Sequence, residues 1–151
     1  MKTLLALLSL LAIGCSTSSL ESGGWVPPKP QASKSMKVTM GGFEVDKQTK
    51  SIKLFISSEL TSKPDSGRFV RITFPVGSTK KPGETKVLPI TQKKDYDAVS
   101  GPMTGLKYYD SYPVLIQITS DSAGTQVMEE ITQYVRFELH PAIQAQLGLN
   151  N

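Results

Sequence analysis

Histidine and cysteine, the side chains that most often supply nucleophiles, proton shuttles and metal ligands, occur once each, at His140 and Cys15. One histidine cannot provide a pair of imidazole ligands, and no Cys–His couple is set up. A Ser–His–Asp site would have to use His140, which stands between an alternating run and Pro141, where a strand-to-helix junction explains it more simply. The chain has no Gly-x-Ser-x-Gly elbow, no Gly-x-Gly-x-x-Gly loop and no phosphate-binding loop. Carboxylates are present, but their spacing suits no known site. Glu129 and Glu130 are neighbours and would point to opposite faces of a strand. Asp95 and Asp97 would share a face, and Asp121 sits in a loop, yet none of them has the dense ligand spacing of a calcium loop. The expectation is a protein that is not an enzyme and holds no metal or cofactor.

Recognition chemistry is easier to place. Lys80, Lys81, Lys86, Lys93 and Lys94 cluster in sequence around one predicted hairpin. Lysines at an edge strand keep it from pairing with other chains, and that alone explains such a cluster. The sharper alternative is a face for an anionic partner: lipopolysaccharide phosphate, peptidoglycan carboxylate or an acidic protein patch. Tyr108 and Tyr109, with Tyr96 and Tyr112 nearby, would add aromatic contact area to that face.

The elements that must carry these residues read as β-strands. Apolar positions recur with period two at Ile52, Leu54 and Ile56, at Val70, Ile72 and Phe74, at Val114, Ile116 and Ile118, and at Val135, Phe137 and Leu139. Half-buried strands produce this pattern because successive side chains face opposite ways. Weaker strands are expected at 38–40, 86–88 and 95–99. Turn chemistry separates them at Lys63-Pro64-Asp65-Ser66-Gly67, Lys81-Pro82-Gly83-Glu84 and Asp121-Ser122-Ala123-Gly124. About seven short antiparallel strands without βαβ alternation predict an all-β sandwich or barrel over residues 36–151. One short helix is expected at the end, opened by Pro141 and closed by Gly148, with Ile143 and Leu147 packed on the domain.

The N-terminus has a different composition. Lys2 is followed by an apolar run over residues 4–13, broken only by Ser9, and then by Gly14 and Cys15. Ten apolar residues are too few to span a bilayer, and the layout is that of a secretory signal. The ending Leu11-Ala12-Ile13-Gly14-Cys15 resembles the lipobox of bacterial lipoproteins, with Ala12 where the family usually has leucine. The resemblance implies removal of residues 1–14, lipidation of Cys15, and a membrane contact made through that lipid. Ser16 at the following position implies, by the enterobacterial sorting rule, delivery to the outer membrane, on its periplasmic or surface face.

Removal of residues 1–14 would leave 137 of the 151 residues and, with Lys2 gone, 16 basic against 13 acidic side chains. That balance is too mild for a nucleic-acid binder. Without a second cysteine there is no intrachain disulfide, so the core must hold by packing alone. Residues 15–35 read as a lipidated flexible tether: Ser16-Thr17-Ser18-Ser19, Gly23-Gly24, and Pro27, Pro28 and Pro30 favour loose or extended backbone. Trp25, the only tryptophan, lies within it. It is expected to dock on the domain as a clamp, or else to contact a partner or the membrane interface.

The stretch from Leu106 to Ile118 carries Tyr112 six residues after Leu106, with Val114 and Ile116 two and four beyond. It resembles the tyrosine-corner region of fibronectin type III and related immunoglobulin-like domains. The resemblance implies an immunoglobulin-like sandwich in which Tyr112 is structural and bonds to upstream backbone, with Pro82-Gly83-Glu84-Thr85 as a turn leading out of its middle. In outline the chain is also similar to the small lipoprotein of type VI secretion systems, a short lipoprotein with a β-sandwich. Two functions follow as expectations. One is a lipid-anchored module that binds an envelope protein. The other is a lipoprotein that binds a glycan or anionic envelope component through the lysine–tyrosine face.

Overall fold

A computed structural model describes residues 29–63 and 67–149. Cys15, Trp25 and residues 64–66 of the first turn lie outside the described residues. Among the described residues there are seven strands: β1 (Met36–Asp46), β2 (Ser51–Leu60), β3 (Phe69–Val76), β4 (Lys81–Pro89), β5 (Asp95–Val99), β6 (Ser111–Thr119) and β7 (Val127–Arg136), followed by helix α1 (Pro141–Gln146). They form two antiparallel sheets, ordered β1-β2-β5 and β4-β3-β6-β7. The fold is an immunoglobulin-like β-sandwich with a short C-terminal helix.

The alternating strands build the core. On β2, Ile52, Leu54, Ile56 and Leu60 point inward, on β3 Val70, Ile72 and Phe74, and on β6 Tyr112, Val114, Ile116 and Ile118. Each of these apolar side chains, fully buried, contributes about 1.5–3 kcal/mol before chain entropy is counted. Pro113 is tolerated inside β6 because β3 pairs with that strand only from Leu115 onward. The missing N–H therefore falls ahead of the doubly paired part of the strand.

Several expected boundaries move. Strand β1 is far longer than residues 38–40, and β7 begins at Val127 and ends at Arg136, earlier than the run ending at Leu139 suggested. Pro82, Gly83 and Glu84 are not a turn but lie in β4, an edge strand where proline is permitted. The reversal before them is made by the 3-10 turn Gly77–Thr79 and by Lys80, whose φ of 55° is left-handed. Gly77 is required there, since a Cβ would lie 2.2 Å from the Thr104 carbonyl oxygen.

Helix α1 also seats itself differently. Ile143 and Leu147 remain largely exposed, while Gln144 and Leu149 are buried. Gln144 Nε2 donates to the Leu139 carbonyl at 2.7 Å, so a polar side chain anchors this one-and-a-half-turn helix. His140 is its N-cap: Nδ1 accepts from the Ala142 N–H at 3.1 Å.

Candidate interaction surfaces

Residues 31–35, expected in the tether, are fastened to the sandwich. Ala32 pairs antiparallel with Lys37, and the Val38 N–H donates to the Gln31 carbonyl at 2.9 Å. On the opposite side β7 holds the same segment. Glu129 accepts from the Ser33 hydroxyl (2.6 Å), the Ser35 N–H (2.9 Å) and the Ser35 hydroxyl (2.6 Å), and Gln133 Oε1 accepts from the Gln31 N–H (2.9 Å). Burial pushes the Glu129 carboxyl up, but the bonds from Ser33 and Ser35 outweigh it and hold the group below its ordinary value. The sequence marks Glu129 only as the neighbour of Glu130 and not as a latch, because its partners lie more than ninety residues away. The only available signal was a carboxylate inside an otherwise strand-like run.

Past this clasp the edge strands β1 and β7, which belong to different sheets, are not paired with each other. Between them lies a cleft of about 540 Å³, lined by Pro30, by Val38, Phe43 and Val45 of β1, and by Val135, Phe137 and Leu139 at and beyond the end of β7, among others. Its rim carries Met40 and Tyr134, 58% and 50% exposed. Gly41 keeps the wall flat, since a Cβ there would lie 2.8 Å from Ile56 Cδ1 and 3.0 Å from Val135 Cγ2.

The five lysines do not share a hairpin. Strands β4 and β5 belong to different sheets, so Lys80 and Lys81 stand at one end of the sandwich and Lys93 and Lys94 follow β4, which runs roughly 25 Å to the other end. Three of the five are paired. Lys80 Nζ lies 3.0 Å from Asp110, Lys86 bonds Glu84, and Lys94 bonds Glu59, which Lys37 also approaches at 3.0 Å. Lys94 and Lys37 hold the Glu59 carboxyl below its ordinary value and Lys86 does the same for Glu84, so these carboxylates stay charged beside their lysines. Next to Lys93 and Lys94, a second cleft of about 420 Å³ is lined by these two with Leu60, Thr61, Ser62 and Lys63.

The tyrosines divide in the same way. Tyr112 is fully buried, its hydroxyl accepts from the Lys107 N–H at 2.7 Å, and its ring meets Phe43 edge-on at 5.7 Å. Burial raises its phenol. Lys80 Nζ stands 5.3 Å from the centre of the Tyr112 ring, so of the five lysines Lys80 is the one in contact with this corner. Tyr96 is buried and its hydroxyl binds the chain at Thr91 and Lys93. Tyr108 and Tyr109 remain as a surface pair, ring centres 4.1 Å apart, with Tyr108 edge-on to His140 and the Arg136 guanidinium 4.7 Å over Tyr109. Among the described residues, no group of three or more His, Cys, Asp or Glu side chains is placed to hold a metal ion. No family model, curated protein or solved structure matches this chain.

Proposed function

We propose that the protein is a bacterial envelope lipoprotein, anchored through acyl chains on Cys15, whose sandwich is an interaction module for another envelope protein. The observation that carries the proposal is the ending Leu11-Ala12-Ile13-Gly14-Cys15 behind a short apolar run, with Cys15 the sole cysteine. Several acyl chains anchor stably where one would hold only marginally, since each buried methylene contributes about 0.8 kcal/mol. Ser16 favours the outer membrane. The use as a module is supported by two exposed edge strands, β1 and β7, flanking an apolar cleft. The alternative, a glycan or anionic component held by one lysine–tyrosine face, is less favoured because Lys80 and Lys81 lie apart from Lys93 and Lys94.

The test is made on the full chain in a bacterial host supplied with labelled palmitate. The wild type is expected to carry label and to lose residues 1–14, while Cys15→Ser accumulates as an unlabelled precursor. A Cys15→Ser chain that is still acylated and processed would sink the anchor. Crosslinking of the acylated chain in the same cells then separates the two uses. A defined envelope protein supports the module, and capture of glycan or lipopolysaccharide alone supports the alternative.

A further inference from the structure

We propose that the cleft between β1 and β7 is a binding site for an extended tryptophan–proline segment, and that this chain supplies the occupant itself: residues 24–28, with the Trp25 indole filling the cleft.

The direction of the chain is the first support. From Ser33 back to Gln31 the backbone runs antiparallel to β1, in the register set by Ala32 opposite Lys37 and by Gln31 bonded to Val38. Pro30 already forms part of the cleft wall. Residues 25–28 precede this antiparallel stretch and, continuing in the same direction, would run along the open edge of β1. The five residues from Pro30 to Trp25 reach at most about 18 Å. The wall of β1 from Thr39 to Val45 is about 20 Å long, so an extended segment can carry the indole into the cleft but not past it.

The second support is what the site lacks and what the segment brings. Among the described residues the outer edge of β1 has no strand partner beyond Val38, and Met40 and Tyr134 are large, apolar and half exposed beside it. The walls are mostly apolar and aromatic, with Gln133, Arg136 and Glu138 on the β7 side, and apolar, aromatic-lined grooves are the setting in which proline-rich extended chain docks. Pro27 and Pro28 have no N–H to leave unpaired against them. A volume of about 540 Å³ lies within the range of about 300–1,000 Å³ that accepts groups of this size. Docking does not depend on lipidation. Combined with the proposed anchor at Cys15, however, it leaves only residues 15–23 as free spacer, at most about 32 Å, and holds the sandwich close to the membrane.

Trp25 is the only tryptophan, so indole fluorescence of the full chain reports this one contact. Wild type and Cys15→Ser are both expected to show blue-shifted emission. Acrylamide quenching should be about fivefold weaker than for free indole, because docking removes about 150–250 Å² of the ring from water. The double variant Met40→Arg/Tyr134→Arg changes two exposed rim residues, so it should keep its circular dichroism while quenching rises to the exposed level. Equal quenching in wild type and double variant would overturn the proposal. So would protection seen only in the acylated chain, which places the indole in lipid, or protection lost on dilution, which gives the cleft to a second copy.

Discussion

Tyr112 and Glu129 both fasten chain to the sandwich, one over a short loop and the other across the whole sequence. Tyr112 sits where β6 begins, and its hydroxyl accepts from Lys107, five residues upstream. Phe43 packs on its ring, and Phe137 packs on Phe43 with centres 5.0 Å apart, so the corner is held by aromatic packing. Glu129 grips Ser33 and Ser35 at the other end of the β1–β7 seam with bonds that are only part-buried, and beyond it the seam opens into the cleft. A corner closed by apolar packing is rigid and specific to one arrangement. A seam closed by a carboxylate at one end remains available to a further extended segment. Stability should therefore reside at Tyr112, and adjustability at the seam.

The largest effect is expected from Tyr112→Ala, which removes a fully buried ring at a cost of about 3–5 kcal/mol, on the order of 15 °C in melting temperature. Tyr112→Phe keeps the ring and loses one bond, at about 1 kcal/mol. Calorimetry checks both, and a Tyr112→Ala chain that melts with the wild type would remove the corner from the account.

Glu129→Gln tests the seam and should cost less than Tyr112→Ala. Because the folded Glu129 lies below its ordinary value of 4.5, its contribution is complete above that pH and is lost as pH falls through the lower folded value. Melting temperature measured against pH should thus fall less steeply below pH 4.5 in Glu129→Gln than in the wild type. Asp46, Glu59, Glu84 and Asp121 are lowered too and keep their share of the acid sensitivity in both chains. Parallel curves would mean that Glu129 is not the latch. Hydrogen exchange at residues 31–35 should rise in the variant, with β6 unaffected.

The smallest effect is expected from reversing Lys80, Lys81, Lys93 and Lys94 to glutamate. Exposed charges contribute little, although the new carboxylates would face Asp110 and Glu59. A melting shift smaller than that of Glu129→Gln is expected. A larger one would mean that these lysines hold the two ends of the sandwich together and do more than decorate them.

Which of these features could be read without coordinates depends on how far apart in sequence the interacting groups lie. Strands β2, β3 and β6 were legible because each buries every second residue, and the Tyr112 corner because its donor is five residues away. His140 as a junction residue and Pro141 as the helix opening were legible for the same local reason. Composition misled where an edge relaxes the rules. Pro82 and Gly83 read as a turn but fit an edge strand, and Val127, Met128, Glu129 and Glu130 carry no clean alternation because Val127 and Met128 are exposed on opposite faces and the inward position after them is a carboxylate.

The sequence by itself determined the alternation that makes a sandwich, the local corner and the apolar run over residues 4–13 ahead of Cys15, since each depends on neighbours a few residues apart. Only the tertiary structure decided the rest: that β4 and β5 join different sheets and so separate the lysines, that Glu129 reaches Ser33 and Ser35, that Gln144 and not Ile143 seats the helix, and that β1 and β7 part to form a cleft. These depend on which strand edges meet across the sandwich, and that pairing is set by the closing of one shared core, not by the order of residues along any strand.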